Sequence, residues 1–194
     1  MANFRLKSPD CVFIHITKTG GTSIRKGVWR SNYDPPAFGH MPDDWKHLFK
    51  FAFVRHPLDR FVSAYKMFTE GTKGAWFVLP ADARPLTVSE FIDIVLDETI
   101  IYDERRKSFE ERIRHHAIPQ THPFNCLHHA DFVGRFETLQ KDFERVAVHL
   151  GLTCQLPHMH YAQRGEWNEY LSGRDMERLV CYYAEDIARL GYEV

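Results

Sequence analysis

Three observations predict an α/β fold with a central, mostly parallel sheet flanked by helices. First, Cys11–Ile16 and Phe51–Val54 are short apolar runs, as expected for strands buried on both faces. Second, each run is followed by a polar turn and then by apolar residues at helical spacing. Third, Asp131–Phe136 repeats the strand pattern ahead of another helical stretch. A chain of 194 residues suffices for one core, so a single domain over 1–194 is expected.

Taken in order, strands are expected near 11–17, 50–55 and 131–136. Helices are expected near 22–30, 57–69, 87–97, 104–116, 138–150 and 172–190. Val12, Phe13, Ile14 and Ile16 give the first strand its apolar content, and Thr22 and Ser23 open a helix through Ile24, Val28 and Trp29. Pro57 suits a first helical turn, and Leu58, Phe61, Val62, Tyr65 and Phe68 form its core stripe. Thr87 with Glu90 reads as a capping box, and Gly151 closes the helix before it. Gly71–Pro85, rich in glycine and proline, reads as a loop on the acceptor side.

Two turns carry chemistry. Lys18-Thr19-Gly20-Gly21-Thr22-Ser23 has the composition of a loop that wraps a phosphate-like anion. The glycines allow close backbone approach, the following helix start supplies N–H groups, and Lys18 adds a charge. The nucleotide-triphosphate loop places its lysine after the glycines. Here Lys18 precedes them, which weakens a kinase or ATPase reading but retains a P-loop-like three-layer sandwich. The bland alternative is a strand–turn–helix with a solvated lysine. In the second turn, Arg55 stands at a strand's carboxyl end, where open α/β sheets bind ligands, and Ser63 follows on the next helix. Taken singly, Arg55 also fits a salt bridge and Ser63 a solvated hydroxyl.

On these residues the chain resembles sulfotransferases that use 3′-phosphoadenosine-5′-phosphosulfate (PAPS). The closer likeness is to the carbohydrate-type family of chondroitin, HNK-1 and uronyl 2-O-sulfotransferases, in a small bacterial-type form. Phe13–Ser23 resembles the family's 5′-phosphosulfate loop, with Thr17 where proline is usual. Phe51–Tyr65 resembles its 3′-phosphate segment, with His56 where asparagine is common. Gly39-His40-Met41-Pro42, His116-Ala-Ile-Pro119-Gln120, Asp131–Glu137, and Tyr183 to Asp186 with Gly191-Tyr192 match further elements in order.

The resemblance implies sulfuryl transfer to a carbohydrate hydroxyl, leaving 3′-phosphoadenosine 5′-phosphate (PAP), with no metal. Lys18, Thr19, Gly20, Gly21, Thr22, Ser23, Arg55 and Ser63 would bind the donor. Lys18 would stabilise the leaving group and His40 would act as base. His116 is the second candidate base, and His40, His116 and Gln120 would face the acceptor. Phe136 would lie against the adenine, with plain core packing as its alternative. The resemblance assigns Arg60 and Arg135 no definite role.

Composition sets the remaining bounds. A net charge of −1 without a long basic run argues against nucleic acid and leans toward a neutral or mildly charged acceptor. The histidine-rich stretch 115–129 with Cys126 lacks a metal-ligand pattern, and the four cysteines form no disulfide framework. With no N-terminal apolar run of signal or membrane length, a soluble cytoplasmic protein is expected. The competing classes are a P-loop-like kinase or nucleotide hydrolase, and a non-catalytic module that binds PAP.

Overall fold

The computed structural model describes residues 2–70, 84–100, 108–153, 155–156 and 166–194. Residues 71–83 of the loop expected over 71–85, and the start of the helix expected from 104, lie outside the described residues. The chain divides into two compact units: Met1–Arg55 with Gln120–Gln163, and His56–Pro119 with Arg164–Val194.

The first unit holds the sheet. Its strands are β1 (Ala2–Leu6), β2 (Cys11–Ile14), β3 (Ala37–Phe38), β4 (Lys50–Val54) and β5 (Phe132–Arg135), in the order β3-β1-β2-β4-β5. The sheet is mixed. β2, β4 and β5 run parallel, while β1 is antiparallel to both β2 and β3. Register places Phe13 beside Phe51, with their rings stacked at 5.2 Å, and Val54 beside Arg135. At the opposite ends of β4 and β5, Lys50 donates to the Asp131 carboxylate through its main-chain N–H (2.8 Å) and its ammonium (2.9 Å). Burial pushes the Asp131 carboxyl up, but these bonds outweigh it and hold the group below the ordinary carboxylate range.

Phe4, Phe13, Ile24, Trp29, Phe51, Phe53 and Phe143 form this unit's core. Each buried phenylalanine contributes about 1.5–3 kcal/mol. Gly134 belongs to the same packing, because a Cβ there would come within 2.5 Å of the Phe53 ring. The helix expected over 138–150 is α4 (Leu139–His149), and Gly151 ends it at φ +66°. The helix expected at 22–30 is a short, wide segment, Ser23–Val28, with Trp29 N–H reaching Ile24 O at 3.3 Å.

The second unit is helical: α1 (Pro57–Thr69), α2 (Val88–Leu96), α3 (Phe109–Ala117), α5 (Gly173–Tyr182) and α6 (Ala184–Leu190). Leu58, Phe61, Val62 and Phe68 of α1 are buried with Phe91, Ile113, Leu179 and Tyr183. The Thr87–Glu90 capping box is present, and Ser108 with Glu111 makes a second one on α3. The single helix expected over 172–190 breaks at Tyr183. That side chain is fully buried and its hydroxyl donates to Ala117 O at 2.6 Å. Among the described residues, no helix is long and apolar enough to cross a membrane.

Candidate active site

The parallel half of the sheet positions the candidate residues of the first unit. Past the end of β2 the chain turns at Lys18, which takes the left-handed conformation (φ +68°), as does Gly20 (φ +87°). That conformation is uncommon for a lysine and is held only where surrounding contacts impose it. Two contacts bear on this turn. The Thr19 hydroxyl donates to Ile16 O at 2.8 Å, and an Arg55 Nη1–H donates to Lys18 O at 3.2 Å. Thr19 is fully buried, so its side chain builds the loop, leaving its main chain as the part suited to a ligand.

Both glycines stand close against neighbouring side chains. A Cβ on Gly21 would stand 2.2 Å from the His15 ring, and one on Gly20 would stand 2.7 Å from Leu139. Helical backbone follows at once, with the N–H groups of Ser23 and Ile24 bonding to Gly20 O at 3.0 and 3.4 Å. Its first turn contains no acidic residue, as suits an anion site.

Arg55 directly follows β4 and is only 4% exposed. Its guanidinium lies 4.1 Å over the ring of Phe136, which directly follows β5. Phe136 is partly exposed rather than core, and it also borders Gly20 at 3.6 Å from the position a Cβ would occupy. Loop, arginine and aromatic ring therefore form one packed circuit. Gln120, expected at the acceptor, is fully buried, and its carboxamide bonds to the main chain of Arg55.

His40 is exposed at the turn after β3. Its Nδ1 lies 2.9 Å from Phe38 O. A carbonyl only accepts, so Nδ1 carries the proton and the neutral ring presents Nε2 as its basic nitrogen. Asn3 of β1 donates to His40 O at 2.9 Å, and Gly39 (φ +71°) makes room for Phe124. The strand that holds His40 was missed in the sequence, although Ala2, Phe4 and Leu6 alternate with Asn3 and Arg5.

In the second unit, Ser63 is nearly buried on α1, and His116 lies on the last turn of α3. His116 Nδ1 donates to Arg112 O at 2.8 Å, which also leaves Nε2 as the acceptor nitrogen. Arg60, unassigned by the motif, is fully buried. It donates to His116 O (3.1 Å), Ala117 O (3.3 Å) and Ile118 O, capping the carbonyl end of α3. Its R-x-x-S spacing gave no hint of this, because the capped carbonyls lie far along the chain. Among the described residues, no cluster of His, Cys, Asp or Glu is arranged to hold a metal ion.

The glycine loop after β2 and the stacked arginine after β4 compose the candidate site on the parallel half of the sheet. The chain belongs to the sulfotransferase family, whose pattern it matches over residues 7–193. It is similar to carbohydrate sulfotransferase 14 of Homo sapiens, 32% identical over 151 residues, and to that of Mus musculus, 31% identical over 151 residues. Each alignment covers 70% of this chain and 37% of the relative's length. No solved structure matches the chain.

Proposed function

We propose that this chain transfers the sulfuryl group of PAPS to a hydroxyl of a carbohydrate, within one sulfotransferase domain of P-loop-like three-layer architecture. The family match across both units supports the single domain, and the relatives' names support the carbohydrate acceptor. The observation that carries the reading is the Lys18–Arg55–Phe136 circuit, which joins the two donor motifs around one loop. The cradle suits an anionic donor: it has glycines where a Cβ would clash, an acid-free helix start and a nearly buried guanidinium.

In this reading the main chain from Thr19 to Ser23, with the Thr22 and Ser23 hydroxyls, holds the 5′-phosphosulfate. The motif bearing Arg55 and Ser63 binds the 3′-phosphate. Lys18 stabilises negative charge on the bridging oxygen as the sulfur–oxygen bond breaks. His40 Nε2 accepts the proton of the acceptor hydroxyl as the new oxygen–sulfur bond forms. His116 contributes to the acceptor side.

Calorimetric binding of PAP, with ADP and with ATP plus magnesium as controls, tests this. PAP is expected to bind about 100-fold tighter than ADP without metal. Preference for ATP with magnesium would return the chain to the kinase or hydrolase class. Tight PAP binding without turnover of PAPS on any glycan would leave a binding module.

A further inference from the structure

We propose that Gln120 is a positioning residue that aims Arg55 at the donor's 3′-phosphate; this rests on the sulfotransferase reading above. Arg55 stands one residue beyond the last ladder pair of β4 with β5, Val54 beside Arg135. Its peptide groups have therefore passed the point where that ladder supplies partners. Gln120 takes the place of a strand there. Its Oε1 accepts from Arg55 N–H at 2.9 Å, and its Nε2 donates to Arg55 O at 2.8 Å.

A primary amide is the side-chain group closest to a peptide, carrying one acceptor and a donor in the same plane. Gln120 thus extends the sheet by one residue, using a side chain 65 positions away in sequence. The clamp is itself supported: Asn125 Nδ2 donates to Gln120 O at 3.3 Å, and both residues are buried.

The consequence falls on the guanidinium. Fixing both peptide groups of Arg55 fixes the direction in which its side chain leaves the strand. From there it reaches the face of Phe136 and the carbonyl of Lys18. An arginine held this way loses little freedom when a phosphate meets its edge. Gln120 acts through Arg55 and has no need to touch either substrate.

The test is the ratio of PAP to AMP affinity, which isolates the 3′-phosphate, measured by calorimetry on the full chain. Gln120→Met keeps length and removes both hydrogen bonds. It is expected to reduce the ratio about tenfold while AMP affinity stays near wild type. In an Arg55→Ala background the same change should leave the ratio where Arg55→Ala alone puts it. A purely structural role would lower thermal stability in both backgrounds and leave the ratio untouched. If Gln120→Met does not fold, Gln120→Asn, polar but too short for both bonds, takes its place with the same expectation. A large wild-type ratio that survives the substitution overturns the role of Gln120 alone. Equal PAP and AMP affinity in the wild type overturns the donor reading and this inference with it.

Discussion

The guanidinium of Arg55 lies 4.1 Å from the centre of the Phe136 ring while its Nη1 bonds to Lys18 O at 3.2 Å. A desolvated cation–π contact contributes about 2 kcal/mol. Phe136→Leu is therefore expected to weaken PAP about tenfold and AMP little, with Phe136→Tyr close to wild type. Equal losses for both nucleotides would give Phe136 the adenine-platform role that the resemblance implied.

Gly21→Ala forces a Cβ to within 2.2 Å of the His15 ring. Overpacking of this kind costs about 1–3 kcal/mol. Urea unfolding should show that loss, and the double change with His15→Ala should recover most of it. No recovery would mean that the loop backbone, rather than the ring, resists the methyl group.

Arg60→Met removes the donors that cap the carbonyl end of α3 and leaves the capped oxygens buried. A loss of about 3–5 kcal/mol is expected in denaturant unfolding. Arg60→Lys should remain strongly destabilised, because one ammonium cannot reproduce the planar fork over three carbonyls. A neutral outcome would remove Arg60 from the scaffold.

His40→Ala is expected to lower turnover of PAPS about 100-fold or more while PAP affinity holds within twofold. The exposed ring is deleted together with its bond to Phe38 O, while the main-chain oxygen that Asn3 holds is kept. Unchanged turnover would shift the base to His116.

Glu90 carries a sharp titration signal. Its hydrogen bonds from Arg84, and then from the Thr87 main chain and hydroxyl, pull its carboxyl down to about 2. A depressed carboxylate stabilises the fold above its unfolded value, about 4.3, and loses that contribution as pH falls toward about 2. Carboxyl-carbon NMR should find Glu90 titrating well below the other glutamates, and Glu90→Gln should flatten stability over that acid window. An ordinary midpoint would mean that the Arg84 pair does not persist in solution.

Local patterns carried much of this fold in the sequence. The strand at 50–55 and the helix at 57–69 are found as β4 and α1, because an unbroken apolar run and a proline at the first helical position are signals that neighbours in the fold rarely override. The antiparallel strands β1 and β3 were missed: one is five residues with polar alternation, the other only two. The helix break at Tyr183 was hidden too, and the hydroxyl bond that ties Tyr183 to Ala117 O spans 66 residues. Within the candidate site, residue types singled out the loop at Lys18 and the arginine at position 55, which the fold packs together. The clamp of Gln120 on Arg55 was illegible, since a side chain standing in for a strand leaves no periodicity.

The bond from Asn3 to the peptide of His40 separates two inheritances within one sheet. The parallel strands lead into Arg55 and Phe136 and are bound to the geometry of the loop around Lys18. The antiparallel strands tie down the turn that bears His40. Under the proposed role of His40 as base, drift in β1 and β3 re-aims the histidine toward a different hydroxyl, and a lineage built on this scaffold changes its acceptor without rebuilding the loop around Lys18.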